Sequence, residues 1–211
     1  MADSTTRRRH AVLDVVLQVR AEGLAALVAG GALPGGEVTP GEALEACARR
    51  HVDATALRHL EQLETLILPP RSSPGPELAT AYLGLLPSDV EADGEWHPVA
   101  LLPPLARGHR EVVLAALARL RAKLSYSNVG FALAPERFTI SELRAIYAAA
   151  LGHDVSATNL HRVLVRRGVL EPTGDHRGPG RAGGRPAALF RFSSQKLEIT
   201  DQFGFLRPPG V

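Results

Sequence analysis

A polar and basic stretch late in the chain carries side chains that can read duplex DNA. Thr158, Asn159 and Arg162 share the polar side of a predicted helix, and Ser156 precedes them as a candidate N-cap. Hydroxyl, amide and guanidinium groups near a helix end match the donors and acceptors on base edges in the major groove. We predict base contacts from Thr158, Asn159 and Arg162, with Ser156 on the same DNA-binding surface.

Five further arginines surround this helix and could meet the phosphates. Two of them end the helix and three punctuate the glycine-rich stretch that follows: Arg166, Arg167, Arg177, Arg181 and Arg185. Glycine would let that stretch bring guanidinium groups to phosphates or to the minor groove. The alternative is a solvated arginine face beside a simple hairpin. We predict that all five belong to the DNA-binding surface.

A second set of residues lies earlier, in "ALPGGEVTPGEALEACARR" (residues 32–50). Glu42 and Arg50 are eight positions apart, which is about two helical turns, so they can face each other and hold a loop on a helix. Nearby Glu45, Arg49 and Asp53 could share a helix face, with Glu37 in the loop. The three acids could form a metal site, but a row of ion pairs on the surface of the helix is the simpler interpretation.

The elements that must position the first half of the chain are mostly strands. Apolar and β-branched runs predict four strands, and small residues predict one helix after the glycine-rich loop. The strands are expected at residues 10–19, 24–28, 59–68 and 77–87. This order indicates an α/β domain with a central sheet.

The second half changes to helical periodicity. Residues 108–127 predict a long helix that connects two domains. A capping box from Thr139 to Glu142 begins the next helix, which stops at Gly152, and a further helix stops at Gly168. Strand candidates at residues 169–174 and 187–192 then flank the Gly/Arg loop. Helix, helix, strand, basic loop and strand is the order of a winged helix-turn-helix, with the loop as the wing.

Charge divides the chain in the same way. From Arg119 onward there are fourteen Lys and Arg against seven Asp and Glu, whereas the earlier part has ten against fifteen. A basic end suits a polyanion, and duplex DNA is favoured over RNA because no strand carries an aromatic stacking pair.

The single cysteine, Cys47, excludes an internal disulfide framework and a Cys-rich zinc site. With no apolar run of about 20 residues and no signal sequence, we expect a cytoplasmic protein without a membrane partner.

The early stretch resembles a Nudix box, which runs Gly, five residues, Glu, seven residues, then Arg-Glu-hydrophobic-x-Glu-Glu. Gly36, Glu42 and Arg50 match it, and in Nudix proteins this Glu–Arg pair is structural. The glutamates that hold magnesium in that family fall here on His51, Ala54 and Thr55, which supply poor ligands or none for Mg²⁺. The resemblance therefore implies an α/β Nudix-like scaffold with a mixed sheet and helices. It also implies that this scaffold has no catalytic residues, no metal and no cofactor.

The resemblance extends over most of residues 10–192, most specifically at "KLSYSNVGFALAPERFTISEL". There the chain is similar to the Nudix-related transcriptional regulators of NAD metabolism, in which an inactive or weakly active Nudix domain precedes a winged helix. The division we expect is a flexible basic leader, a ligand-sensing and dimerising Nudix-like domain, the DNA-binding domain and a tail: residues 1–9, 10–120, 121–192 and 193–211.

The family implies a homodimeric repressor that binds a palindromic operator and is released by a nucleotide such as ADP-ribose. We place effector contacts at Gly35, Gly36 and Arg71. Three alternatives stay open: a domain that senses a sugar metabolite, one that only dimerises, and a residual hydrolase. Residues 7–9, all arginine, could bind phosphate, enter the minor groove or form a disordered leader.

Overall fold

A computed structural model of the chain describes residues 9–52, 55–68, 77–178 and 186–201. The elements of its first half are β1 (His10–Arg20), β2 (Gly23–Val28), β3 (Gly35–Glu37), α1 (Leu44–His51), β4 (His59–Leu68), β5 (Glu77–Leu86) and β6 (Glu95–Pro98). Those of the second half are α2 (His109–Tyr126), α3 (Ile140–Leu151), α4 (Ala157–Arg166), β7 (Leu170–Arg177) and β8 (Ala187–Phe192). Short 3-10 turns cover Val99–Leu101 and Val129–Ala132.

One mixed sheet occupies the first half, in the order β4-β5-β1-β2-β6, with β3 also paired to β1. β1 is parallel to β5 and antiparallel to β2 and β3, so it lies inside the sheet and is buried along nearly its whole length. The predicted α/β domain with a mixed sheet is confirmed. The two shortest strands, β3 and β6, were not predicted because their own residues carry almost no strand periodicity.

The two faces of β1 have different neighbours, because successive side chains alternate across a strand. Leu13, Val15 and Leu17 face the main hydrophobic core, to which α2 and α3 also contribute. Val12 faces the other way and packs with Cys47 and Ala48 of α1. The sheet therefore separates an apolar layer that contains α2 and α3 from a second layer that contains α1 and the Nudix-box loop.

The second half forms the predicted winged helix. The capping box is present: the Thr139 side chain accepts from the Glu142 amide, and the Glu142 side chain accepts from the Thr139 amide. Gly152 ends α3 at φ +81°, a conformation that favours glycine. β7 and β8 pair as an antiparallel hairpin, and β7 reaches Arg177, three residues beyond the predicted strand end.

The hydrophobic core is continuous through both halves. Leu17 of the sheet and Leu164 of α4 belong to one cluster of buried residues, to which α2 also contributes. The predicted domain boundary at residue 120 falls inside α2. Residues 194–201 then return to the end of α2: Asn128 donates to Lys196 O at 2.8 Å, and Ser127 pairs with Ile199. We call this segment the C-terminal strap. No helix in the described ranges is long and apolar enough to cross a membrane.

Candidate functional site

The exposed side of α4 presents three of the residues expected to read bases. Ser156 caps the helix by accepting from the Asn159 amide, and Leu164 buries the opposite side in the core. Thr158, Asn159 and Arg162 are exposed, and Arg162 Nη2 donates to Asn159 Oδ1 at 2.8 Å. The helix thus holds a paired amide and guanidinium ready at its surface.

The wing begins beside the start of α3 and is tied to it by charge. Arg177, the last residue of β7, donates to Glu142, and Arg137 pairs with Asp175 at 2.9 Å. Both pairs are exposed, so each is a weak tether that a phosphate can compete with. Arg181 and Arg185 of the predicted phosphate set lie outside the described residues.

An aromatic contact between α4 and the wing was not predicted from the sequence. The His161 ring meets Phe190 of β8 edge-on, with ring centroids 5.2 Å apart. Phe138 and Phe190 also form an isolated backbone bridge, so residue 138 is hydrogen-bonded to the hairpin. These contacts fix the angle between the helix and the wing, and nothing in the local pattern of residues 138, 161 and 190 links them.

Arg166 and Arg167 are neighbours in sequence but differ in their surroundings. Arg166 is exposed on α4. Arg167 is turned inward: its side chain is 11% exposed, and Nη2 donates to Ser125 O at 2.6 Å and to Asp201 at 3.3 Å. Its guanidinium therefore joins the helix end to α2 and the strap, which the sequence did not predict because the strap had no assigned structure.

The Nudix-box pair closes the loop in front of α1. Arg50 Nε and Nη2 donate to the two carboxylate oxygens of Glu42, each at 3.0 Å, and Nη2 also donates to Glu37 O. Glu42 accepts from both the amide and the hydroxyl of Thr39. The Arg50 hydrogen bonds, followed by those from Thr39, lower the pKa of Glu42 to about 2. Glu42 is therefore a charged anchor for the loop at all ordinary pH values.

A magnesium ion does not fit the residues at the former glutamate positions. His51 and Thr55 offer one imidazole and one hydroxyl, whereas Mg²⁺ prefers carboxylate oxygens, and Ala54 lies outside the described ranges. Among the residues described, no group of three or more His, Cys, Asp and Glu could hold a metal ion. Glu45 instead pairs with Arg49 at 2.9 Å along α1, the surface ion pair that the sequence suggested.

The two glycines predicted to contact an effector are tightly packed. A Cβ on Gly35, whose φ is +153°, would lie 2.1 Å from Val12 O, so this position requires glycine for the β3–β1 contact. A Cβ on Gly36 would lie 2.7 Å from His51 Nε2, so Gly36 makes room for the imidazole ring. The third predicted contact, Arg71, lies outside the described residues.

A buried acid beneath His51 was missed by sequence reasoning. Asp14 is 0% exposed on β1, on the face turned towards α1, and neither carboxylate oxygen has a hydrogen-bond partner among the described residues. Asp14 Oδ2 lies 3.9 Å from His51 Nδ1, which also has no such partner. Burial raises the pKa of Asp14 to about 8. A lone acid inside an apolar strand was the only signal available in the sequence.

Comparisons with known proteins cover both halves of the chain. Residues 130–192 match the NrtR DNA-binding winged helix domain. Over 182 residues the chain is 32% identical to the ADPR responsive transcriptional repressor NtrR of Acinetobacter baylyi, covering 80% of this chain and 72% of that protein.

Two solved structures share most of the fold. The Shewanella oneidensis NrtR complexed with a 27mer DNA has a TM-score of 0.73 and 28% identity, covering 87% of this chain and 93% of that one. A MutT/nudix family protein from Enterococcus faecalis has a TM-score of 0.68 and 20% identity, with 90% of each chain covered. The second likeness concerns the fold alone. Together they agree with a Nudix-like domain followed by a winged helix.

Proposed function

The chain belongs to the NrtR family of transcriptional regulators, and we propose from this premise that it is a DNA-binding repressor released by ADP-ribose. The observation that carries the DNA-binding part is the exposed polar face of α4 on a capped helix-turn-helix inside the matched winged-helix domain. The sensing part is supported by the relative of Acinetobacter baylyi, an ADPR responsive repressor.

We assign the DNA contacts according to the surroundings of each side chain. Thr158, Asn159 and Arg162 are exposed on α4 and would meet base edges, whereas Arg166 and Arg177 would meet phosphates. Arg181 and Arg185 keep their predicted phosphate role on grounds of sequence. Arg167 is assigned a structural role instead, because its guanidinium is engaged with Ser125 and Asp201.

The Nudix-like domain is proposed to sense the nucleotide without hydrolysing it. Its box keeps Gly36, Glu42 and Arg50, which hold the loop, and has no carboxylates where Nudix enzymes hold magnesium. A pocket shaped for a nucleoside diphosphate becomes a sensor when its ligand is no longer turned over. ADP-ribose incubated with the protein and Mg²⁺ should therefore remain intact, and its steady hydrolysis would identify a residual enzyme.

Repression is proposed to require a homodimer on a palindromic operator. In a two-fold dimer the two copies of α4 would meet half-sites about one DNA turn apart. The effector would act by favouring an arrangement in which that spacing is lost, since a ligand shifts an equilibrium only towards the state it binds more tightly. Genes of NAD metabolism are the proposed targets, in keeping with the family.

Fluorescence anisotropy on the chain's own upstream region tests the proposal. Labelled upstream DNA and a random duplex of equal length are titrated with protein, and the complex is then challenged with ADP-ribose, NAD or a pentose phosphate. We expect preference for the upstream fragment and release by ADP-ribose. Equal affinity for random DNA would refute sequence-specific repression. Release only by the sugar phosphate, or by none of the compounds, would refute ADP-ribose as the effector and support a sugar sensor or a dimerisation domain respectively.

A further inference from the structure

Asp14 and His51 form a pair of polar groups inside the Nudix-like domain, at the position where the box has lost its first glutamate. Asp14 comes from the centre of β1 and His51 from the last position of α1, and the facing atoms, Oδ2 and Nδ1, are 3.9 Å apart. Neither atom has a hydrogen-bond partner within the described part of the chain. Unsatisfied buried polar atoms are costly, so their persistence indicates a role beyond packing.

The other edge of the imidazole faces the box. His51 Nε2 accepts from Arg50 Nη1 at 3.5 Å, and the ring occupies the space that a side chain on Gly36 would fill. Glu42 binds the Nε and Nη2 atoms of the same guanidinium, which holds Arg50 in place and leaves its Nη1 edge towards His51. The His51 side chain is 17% exposed, so the ring spans from the buried acid towards the surface. Two nitrogen atoms 3.5 Å apart at the loop suit one bridging phosphate oxygen.

We propose that Asp14 and His51 form a metal-independent anion site for the diphosphate of the effector, in which His51 Nε2–H and Arg50 Nη1–H donate to phosphate oxygens and Asp14 positions the imidazole. In a Nudix enzyme Mg²⁺ supplies the positive charge beside the diphosphate. In this site the imidazolium of His51 would supply it. This inference rests on the proposed function, because it concerns how the same domain holds its ligand.

Asp14 also has a part in the proton balance. Burial keeps the Asp14 carboxyl protonated at neutral pH, and it likewise raises the pKa of its neighbours Cys47 on α1 and Tyr82 on β5, which stay neutral. Glu37 on β3 faces outward and pairs with Arg9. Because Nε2 accepts from Arg50 in the free protein, the proton of the neutral ring is on Nδ1. When a diphosphate replaces that contact, Nε2 takes up a proton while Asp14 releases its own, which leaves a carboxylate beside an imidazolium. The net number of bound protons is then unchanged until the pH rises through about 8.

Two substitutions test the site in the full-length protein. His51→Gln removes the imidazole but keeps a polar side chain, and Asp14→Asn removes the acidic proton. Arg49→Gln is the matched control, because Arg49 lies on the same helix and, among the residues described, its guanidinium pairs with Glu45 at the surface. Calorimetry would measure the Kd of ADP-ribose and of inorganic pyrophosphate, in EDTA and in Mg²⁺, at several pH values between about 6 and 9.

The expected result is binding that is unchanged by EDTA. His51→Gln should weaken it by about tenfold or more, because hydrogen bonds from a charged donor are lost, and Arg49→Gln should leave it within about twofold. Wild-type affinity should persist to about pH 8, whereas the affinity of Asp14→Asn should fall as the pH rises across the same range, because no acid then releases a proton to balance the one that the ring takes up. If Asp14 had only a structural role, Asp14→Asn and wild type would show the same dependence of the Kd on pH.

Three results would overturn the inference: binding that requires Mg²⁺, a His51→Gln variant as tight as wild type, or parallel pH profiles for wild type and Asp14→Asn. Pyrophosphate separates this inference from the proposed function. Metal-free pyrophosphate binding that depends on His51, together with no binding of ADP-ribose, would support the anion site and refute the proposed effector. Failure of both ligands to bind would refute both.

Discussion

Arg177, at the end of the first wing strand, is hydrogen-bonded to Glu142, the acid that closes the capping box of α3. The Glu142 carboxylate therefore both caps α3 and binds the wing. Its Oε2 atom accepts from the Thr139 amide and hydroxyl, and Oε1 accepts from the wing arginine. An arginine proposed to bind phosphate is thus engaged with an acid of the same domain, and DNA must compete with that acid.

Glu142→Gln should strengthen binding to any duplex. Glutamine can still accept from Thr139 and keep the helix cap, but it no longer neutralises Arg177. We expect a few-fold gain in affinity for random DNA and a salt slope that is steeper by up to about 0.9, because the phosphate contact of Arg177 no longer competes with Glu142. Anisotropy titrations at several salt concentrations measure both. The gain in affinity should vanish in the Glu142→Gln/Arg177→Gln double variant. An unchanged salt slope in the single variant would show that Glu142 does not compete with phosphate for Arg177.

Arg162→Ala should weaken operator binding by about 1–3 kcal/mol and relax the preference at one base pair. Arg162 is exposed on α4 and held by Asn159 Oδ1 at 2.8 Å, so it is already oriented for a base edge. Competition titrations with single-base operator variants measure the loss. Arg166→Ala, on the same helix, should instead weaken all duplexes alike. Equal loss on operator and random DNA for both variants would place the base-reading surface elsewhere.

Arg167→Gln should destabilise the fold without changing the salt dependence of DNA binding. The substitution removes a 2.6 Å hydrogen bond to Ser125 O and an ion pair with Asp201, whose two side chains are largely shielded from water. A loss of about 1–3 kcal/mol in the free energy of unfolding is expected, measured by urea denaturation. Arg166→Gln should show the opposite behaviour, with unchanged stability and a shallower salt slope. A shallower slope for Arg167→Gln would restore Arg167 to the phosphate contacts.

Asp14→Asn should make the protein more stable at pH 8 than the wild type. The pKa of Asp14 is raised from 3.8 to about 8 in the folded state, so between these values the folded chain binds a proton that the unfolded chain releases. The contribution of this group to stability is therefore complete below about pH 4 and is lost as the pH rises towards 8. Thermal unfolding from pH 5 to 8.5 should show a Tm that falls more in wild type than in Asp14→Asn. Parallel curves would show that Asp14 is ionised in the folded state.

The sequence by itself determined the features that depend on neighbours along the chain. The Thr139–Glu142 capping box, the Ser156 cap and the glycine at Gly152 are local signals, and each begins or ends the helix where it was expected. The period-2 and period-3.6 patterns placed the longest strands and helices for the same reason. The spacing from Glu42 to Arg50 allowed their pairing, since one helix and its loop carry both.

The tertiary structure alone decided which distant residues meet. Asp14 and His51 come from different elements, as do Arg167 and Asp201, and the pattern around each residue does not indicate its partner. β3 forms by pairing with the first residues of β1, and the strap is held by contacts with the end of α2 and with Arg167. Such contacts form when burial of the whole core brings remote segments together, and side-chain surroundings follow from that packing. For this reason Arg167 was expected at the DNA, and the buried acid under His51 was not expected at all.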